Sequence, residues 1–214
     1  MREIMEFIKK PMEIENRSME IIAPHLEGMG LDNAQTKVYS RIIHAAGDVE
    51  YAPIIRIHPH AIQAAQRAIQ AGCNIYTDVE MVRTGINKKK LKSFGGEVKC
   101  LIADEAVAAR AKEQGITRSM AAMRTFGKEL DGAVVAIGNA PTALFEVLRM
   151  AEEENICPAA IVGIPVGFVG AADSKKLLAE NSKIPYITVE GTKGGSPIAA
   201  AAVNAMMYLL DNRR

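Results

Sequence analysis

The stretch A-V-V-A-I-G-N-A-P-T-A, residues 133–143, joins a short apolar run to a proline that opens an amphipathic pattern. A short apolar run next to a turn signal is typical of a buried strand. Proline suits the first helical position, because the N–H that it lacks has no partner there. The stretch therefore predicts a strand, a tight turn at Gly138 and Asn139, and a helix over residues 141–154.

Four other short apolar runs share this pattern and alternate with helical segments. The runs cover residues 73–77, 98–103, 159–162 and 184–189. Further helices are predicted over residues 104–114, 174–181 and 197–210. Strands that alternate with helices pair in parallel, with helices on both faces of the sheet. We therefore predict an α/β fold with an open, mainly parallel five-stranded sheet flanked by helices.

The first fifty residues predict an N-terminal helical arm that belongs to the same single domain, residues 1–214. Pro11 opens an amphipathic pattern that runs to about residue 25. Asp32 is a preferred capping residue for a second helix, and Gly47 is suited to end it. His44 is then expected in the last turn of this second helix.

Composition limits the classes of partner. The chain has 214 residues, of which 49% are hydrophobic and 24% charged, enough for one substantial core. Its net charge of +1 gives no general electrostatic reason to expect nucleic acid or an anionic membrane as partner. The apolar runs are too short or too polar for a signal peptide or a membrane span. The three cysteines form no C-x-x-C pair, which favours a reduced, cytoplasmic setting.

The stretch R-I-I-H-A-A-G-D-V-E-Y, residues 41–51, contains the side chain best suited to acid–base chemistry. A free imidazole titrates at about pH 6.5. The acids Asp48 and Glu50 would favour the protonated form of His44. The negative end of the helix dipole acts in the same direction. A general acid is one interpretation. A packed histidine that bonds to a backbone carbonyl at the helix end is the other.

Ligands of open parallel sheets bind beyond the carboxyl ends of the strands, so the loops there are candidate sites. At residues 77–86, Asp78 is either a helix cap or, with Glu80, part of a metal site, although the spacing fits no known metal motif. At residues 137–143, the amides beyond Gly138 can hold an anion or can form only a well-capped turn.

The remaining candidates fit nucleotide and metal motifs poorly. The glycines of residues 163–176 are too irregular for the G-x-G-x-x-G pattern of dinucleotide sites. In the turn at residues 190–197, Lys193 precedes the glycines, whereas a Walker A lysine follows them. Arg118 and Arg124 are candidate carboxylate anchors or ordinary solvated helix residues. His58 and His60 are two residues apart and do not share a helix face, so we predict no metal site there.

Five stretches, taken in order, resemble the precorrin-8X methylmutase family, also called cobalt-precorrin-8 methylmutases, of cobalamin biosynthesis. They are R-I-I-H-A-A-G-D-V-E-Y, D-V-E-M-V-R-T-G-I, G-N-A-P-T-A-L, G-I-P-V-G-F-V-G-A-A-D-S-K and G-T-K-G-G-S-P-I-A-A-A-A-V-N-A. The resemblance implies that a methyl group moves from C-11 to C-12 of a corrin precursor, giving hydrogenobyrinic or cobyrinic acid. It also implies that no methyl donor and no cofactor are needed.

The resemblance further implies roles for single residues and for a partner. His44 matches the catalytic histidine, which would protonate or hydrogen-bond the ring system beside the migrating methyl. Ser18, Thr84 and Arg118 match polar positions of the substrate pocket. Weaker matches, inferred from their turns, are Asn139, Thr142, Gly194, Gly195 and Ser196. Members of the family are similar in being homodimers with active sites near the subunit boundary.

Two other functions stay open at this stage. A corrinoid carrier or product-sequestering protein would use the same anion-binding turns without catalysis. A nucleotide-binding α/β enzyme would use the glycine-rich loops instead. The sequence does not indicate whether a corrinoid substrate carries cobalt, because no ligand set selects a metal-bearing ring over a metal-free one.

Overall fold

The computed structural model describes residues 8–181 and 183–211, so the first seven residues of the predicted arm lie outside the described part. Its centre is a six-stranded sheet. The strands are β1 (Ile55–Ile57), β2 (Ile75–Thr77), β3 (Val98–Cys100), β4 (Val134–Ile137), β5 (Ala160–Gly163) and β6 (Tyr186–Val189). Their order across the sheet is β1-β6-β5-β4-β2-β3.

Helices precede the sheet and cover both of its faces. They are α1 (Pro11–Ile22), α2 (Asn33–Ala46), α3 (Ala61–Gln70), α4 (Glu80–Gly85), α5 (Lys88–Lys92), α6 (Glu105–Gln114), α7 (Arg118–Phe126), α8 (Pro141–Glu153), α9 (Ala171–Asn181) and α10 (Ser196–Tyr208). Short 3-10 helices occupy Ala23–Leu26, Val49–Ile54 and Gly127–Leu130. Across the described residues, every helix is too short or too polar to cross a membrane.

The prediction of an open, mainly parallel α/β sheet is confirmed, but the count of five strands is wrong. The sixth strand is β1, which pairs antiparallel with β6 and places Ile55 opposite Val189. All other neighbouring strands are parallel. The predicted start of α9 at residue 174 is also wrong, because that helix begins at Ala171.

The apolar run at residues 133–137 forms the centre of the core. All four residues of β4 are fully buried. Val134 and Ala136 pack in the cluster that includes α2, α3 and α10, whereas Val135 and Ile137 pack in the cluster that includes α7 and α8. Alternate side chains of a strand point to opposite faces, so this division shows that both faces of the sheet are covered.

The predicted ends of α2 are confirmed. The Asp32 carboxylate accepts the N–H of Gln35, and the Gln35 side chain accepts the N–H of Asp32, which completes a capping box. Gly47 ends the helix in the left-handed conformation with φ of 63°. His44 therefore lies in the last turn, as predicted.

Strand β1 determines where this helix end lies. Because β1 is antiparallel to β6, its first residue is at the edge where the parallel strands end. The N–H of Glu190 donates to the Ile54 carbonyl across that edge. The 3-10 helix Val49–Ile54 and the end of α2 are thereby held beside the loops that follow the parallel strands.

Candidate active site

The loops that follow β4, β5 and β6 converge at one edge of the sheet. A Cβ atom on Gly138 would come within 2.7 Å of the Ser196 Cα, so these two turns are in direct backbone contact. A Cβ on Gly194 would come within 2.6 Å of the carbonyl oxygens of Ile164 and Pro165. Only glycine permits such close approach. The N–H of Gly195 donates to the Ile164 carbonyl and completes the junction.

Asp78 fastens the loop after β2 to the same junction. Its side chain is fully buried. The carboxylate accepts the backbone N–H groups of Gly138, Asn139 and Ala140 at 3.0, 2.9 and 2.7 Å. Burial raises the pKa of Asp78, and the three N–H groups oppose that rise.

Three of the alternatives that the sequence left open for these loops do not match the observed contacts. Val79, not Asp78, is the N-cap residue of α4, and Asp78 does not cap that helix. The three amides beyond β4 bind the protein's own carboxylate, so they are not free for an external anion. Glu80 pairs with Arg83 at 2.6 Å, which leaves the two acids in separate contacts rather than in one metal site.

Three predicted pocket residues meet where α7 and α8 begin. The hydroxyl groups of Thr117 and Thr142 share a hydrogen bond of 2.9 Å. Arg118 is the first residue of α7, and its side chain is exposed. Asn139 is also exposed, just before α8. The structure thus places Arg118, Asn139 and Thr142 around one solvent-facing edge.

His44 is exposed in the last turn of α2, four residues before Asp48, and Asp48 is joined to the turn that follows β6. The link is the ion pair between Lys193 and Asp48, with 2.6 Å between the Nζ and the Oδ2. Asp48 also accepts the N–H of Glu50 at 2.9 Å. The Lys193 hydrogen bond lowers the pKa of Asp48 below its ordinary value. The charge of Asp48 is therefore balanced by Lys193, whereas the sequence had pointed to His44 as the group that it tunes.

The turn after β6 has a cation on its exposed side and buried backbone beneath. The Lys193 ammonium lies 5.2 Å from the centroid of the Tyr51 ring. Gly195 and Ser196 are buried, and Ser196 is the first residue of α10. Burial raises the pKa of Tyr51, which keeps its hydroxyl protonated at neutral pH. This arrangement offers one ammonium and one phenol close to the end of the His44 helix.

Thr84 and Ser18 lie on helices and bond within them. The Thr84 hydroxyl donates to the carbonyls of Glu80 and Met81 in α4. Ser18 donates to the Ile14 carbonyl in α1. Helix α1 packs against α2 and against the 3-10 helix Ala23–Leu26. Within one chain, the contacts of Ser18 therefore do not join it to the converging loops.

Lys175 was missed by the sequence analysis. Its side chain is 1% exposed, and its Nζ donates to the Lys193 carbonyl at 2.5 Å. Burial lowers the pKa of Lys175 to about 8. The available signal was its position in α9, where Ala171, Ser174 and Leu178 share its helix face and are all fully buried. A lysine on such a stripe is unusual, because lysines are rarely buried without a paired acid.

One cavity lies away from these loops. It has a volume of about 870 Å³ and is formed by α1, α2 and the end of α10. Arg41 and Glu15 line it and form an ion pair of 2.5 Å. His44 does not line this cavity, and neither do Gly138, Gly194 and Gly195 of the turns described above. We assign the candidate site to the carboxyl edge, because the exposed polar side chains converge there and ligands bind at that edge in open α/β sheets.

The chain matches a family model and is similar to known proteins over most of its length. A family model described as precorrin-8X methylmutase matches residues 13–209. The chain is 42% identical over 203 residues to a cobalt-precorrin-8 methylmutase of Priestia megaterium, covering 95% of the chain and 90% of the relative. It is 42% identical over 202 residues to a precorrin-8X methylmutase of Sinorhizobium sp, covering 94% and 96%. A solved precorrin-8X methylmutase from Thermus thermophilus superposes with a TM-score of 0.83 at 39% identity, covering 92% of this chain and 95% of the other.

Proposed function

Because the chain belongs to the precorrin-8X methylmutase family, we propose that it is an isomerase that moves a methyl group from C-11 to C-12 of precorrin-8X or cobalt-precorrin-8. The product would be hydrogenobyrinic acid or cobyrinic acid in cobalamin biosynthesis. The observation that carries this proposal is 42% identity over nearly the whole chain to a protein named for that activity. The convergence of the loops that hold the family-like motifs supports it.

The proposed reaction conserves the composition of the substrate. The bond from C-11 to the methyl group breaks and the bond from C-12 to the same methyl group forms. No group enters from outside, so the protein has to hold the macrocycle and adjust its electrons. A proton donated to the conjugated ring system makes that system more electron-poor and favours migration.

His44 is the proton donor in this proposal. Its ring is exposed in the last turn of α2. Lys193 forms an ion pair with the neighbouring Asp48 and balances its negative charge. That carboxylate therefore does not interact with the His44 imidazole alone. General acid catalysis of this kind contributes about 10²–10⁴-fold to a rate.

The exposed polar groups at the same edge suit a macrocycle that carries several carboxylates. We assign the most specific contact to Arg118, because a guanidinium holds a carboxylate through two parallel hydrogen bonds. Thr84, Asn139 and Thr142 supply further hydrogen-bonding groups around the edge. The backbone of Gly194, Gly195 and Ser196 forms the floor beside them.

A second copy of the chain would complete this site. Ile14, Ser18 and Ile21 follow the i, i+4, i+7 spacing of one helix face, and the two isoleucines are 46% and 53% exposed. Apolar stripes of this kind mark association surfaces. We propose a homodimer in which this stripe is covered by the partner and Ser18 reaches the partner's loops.

The cysteines support a reducing compartment for the reaction. Cys73, Cys100 and Cys157 are free thiols. Burial raises the pKa of Cys73 and of Cys100, which keeps both thiols protonated at neutral pH. Free thiols persist where glutathione keeps proteins reduced, so we propose that the enzyme acts in the cytoplasm.

The test is conversion of either substrate by the purified chain without added cofactors. Ultraviolet–visible spectra should change to those of the product, while mass spectrometry finds the same mass. His44→Ala should lower kcat by about 10²–10⁴-fold and still bind the product. The matched control is His60→Ala, which removes an exposed histidine beyond the far end of β1.

Three outcomes would contradict parts of the proposal. Unchanged turnover in His44→Ala would exclude that residue as the acid. Tight binding of the substrate by the wild-type chain without any product would favour a corrinoid carrier. Retention of a nucleotide with no affinity for corrinoids would exclude the whole family of corrinoid functions.

A further inference from the structure

Lys175 carries a buried charge that no acid offsets. Within residues 8–181 and 183–211, no aspartate or glutamate forms an ion pair with it. Its pKa is lowered by burial alone, which agrees with the lack of a nearby opposite charge. A charge taken out of water without a counter-ion costs stability. The burial of this charge therefore costs the fold stability that an apolar side chain of similar length would not cost.

Among the described residues, the Lys175 ammonium makes one hydrogen bond, and that bond lies in the candidate site. Its acceptor is the carbonyl oxygen of Lys193, in the turn that follows β6. The side chain of Lys193 points to the other side of the turn and pairs with Asp48 at 2.6 Å. Asp48 is four residues after His44 and caps the 3-10 helix Val49–Ile54. A continuous set of contacts therefore leads from Lys175 through Lys193 to the end of the His44 helix.

The turn after β6 needs a fixed contact such as the hydrogen bond from Lys175, because its two glycines allow many backbone conformations. Gly194 and Gly195 have φ values of 158° and 128°. Glycine visits this region freely, so the conformation of the turn is set by its contacts rather than by its own backbone. A charged donor makes a stronger hydrogen bond to a carbonyl than a neutral donor does.

We propose that Lys175 is a positioning residue for the methyl shift, and that it fixes the Lys193 carbonyl and thereby the distance between the glycine turn and His44. This inference rests on the proposed function, because its effect is measured on that reaction. Lys175 has no contact with the substrate in this proposal. It acts through the turn.

The experiment compares Lys175→Met with Lys176→Met. Methionine retains the length and the apolar stem of Lys175 and removes only the ammonium. We expect kcat to fall by about ten- to a hundredfold, as for a small misplacement of a catalytic group, while Tm stays the same or rises. Lys176 is the neighbouring residue with a 71% exposed side chain, so Lys176→Met should leave both quantities unchanged.

A second comparison tests the path through the turn. Asp48→Asn removes the charge that Lys193 pairs with but keeps an oxygen to cap the 3-10 helix. If both substitutions break the same set of contacts, the loss of kcat in the double variant should be smaller than the product of the single losses. Losses that multiply would overturn the proposed path.

Each result separates this inference from the proposed function. A wild-type chain without turnover would contradict the function itself. A wild-type chain that turns over while Lys175→Met does so equally well would overturn the role of Lys175 alone. If Lys175→Met does not fold, Asp48→Asn decides, and unchanged kcat in that variant would overturn the positioning role.

Discussion

At the scale of single residues, Asp78 is the most connected side chain of the candidate site. Its two oxygens accept three backbone N–H groups that lie about sixty residues further along the chain. An asparagine offers one acceptor oxygen and places an NH₂ group against N–H donors. We expect Asp78→Asn to lower the free energy of unfolding by about 2–4 kcal/mol, measured by urea denaturation with circular dichroism.

The control for this prediction is the same substitution at Asp104. That aspartate caps α6 by accepting the N–H of Val107 at 2.9 Å. Asparagine is an equally good N-cap residue, so Asp104→Asn should change the free energy of unfolding by less than about 0.5 kcal/mol. Equal losses in the two variants would show that the three hydrogen bonds of Asp78 have no special weight.

Asp78 and Lys175 show two different limits of reading a site from sequence. The sequence near Asp78 does not show whether its carboxylate caps a helix or joins two loops. The N–H groups that it accepts belong to the turn after another strand, β4. Lys175 did carry a local signal, since it interrupts an otherwise buried helix face. The position of His44 was predictable because its helix has a local beginning and end in Asp32 and Gly47.

At the scale of elements, the parallel strands were predictable, whereas the segment that contains β1 was expected to be extended but not to join the sheet. The four-residue runs of β4 and β5 are fully buried, so their apolar character is visible in the sequence. Strand β1 precedes the alternation of strands and helices and pairs antiparallel, so that alternation did not reveal it. Its pairing depends on β6, far along the chain, and not on its own pattern.

Helices α7 and α8, whose first turns carry Arg118 and Thr142, are joined by a buried carboxylate. Glu146 is 1% exposed and accepts from Arg124 at 2.8 Å and from Arg149 at 2.5 Å. Burial raises the pKa of Glu146, but the hydrogen bonds from the two arginines outweigh that effect and lower the pKa below its ordinary value. The folded state thus releases this proton more readily than the unfolded state does.

The sign of the pH dependence follows from that lowered pKa. The stabilisation that the ionised Glu146 contributes is fully present above the ordinary glutamate pKa. It is lost as the pH falls through the lower pKa that Glu146 has in the folded state. We expect Glu146→Gln to lose about 2 kcal/mol at pH 7, since its arginine partners are a third exposed and can reach water. The wild-type advantage over this variant, measured by urea denaturation, should shrink as the pH falls below about 4.5.

Glu153 provides the control for Glu146. It lies on the same helix and pairs with Arg149 at 2.7 Å, but its side chain is 62% exposed. An exposed ion pair contributes little, so Glu153→Gln should change stability by less than about 0.5 kcal/mol at any pH tested. If the free energy of unfolding of Glu146→Gln depends on pH as strongly as that of the wild type, other carboxylates cause the dependence.

At the scale of the whole molecule, α10 joins the arm to the sheet. Its buried residues pack in one cluster with Val38 and Ile42 of α2 and with Val134 of β4. The described part of the arm thus shares a core with the sheet, while a single domain over residues 1–214 stays a prediction. Helix α1 is held less firmly, because Ile22 is its one buried residue.

The loose outer face of α1 leads to a prediction about assembly. Exchanging Ile14 and Ile21 for serine removes the apolar groups on the Ser18 face while leaving the buried Ile22 in place. We expect the double variant Ile14→Ser, Ile21→Ser to shift the chain from dimer to monomer in sedimentation velocity. If Ser18 serves the partner's site, the monomer should also lose turnover, although each chain retains its own His44.

Met12 supplies the matched control for this surface. Its side chain is 67% exposed on the same helix, but the helical spacing places it on a different face from Ile14 and Ile21. Met12→Ser should therefore leave both the sedimentation coefficient and kcat unchanged. A double variant that stays dimeric would exclude this stripe as the interface. A monomer with full turnover would show instead that one chain holds a complete site, and that Ser18 has no part in catalysis.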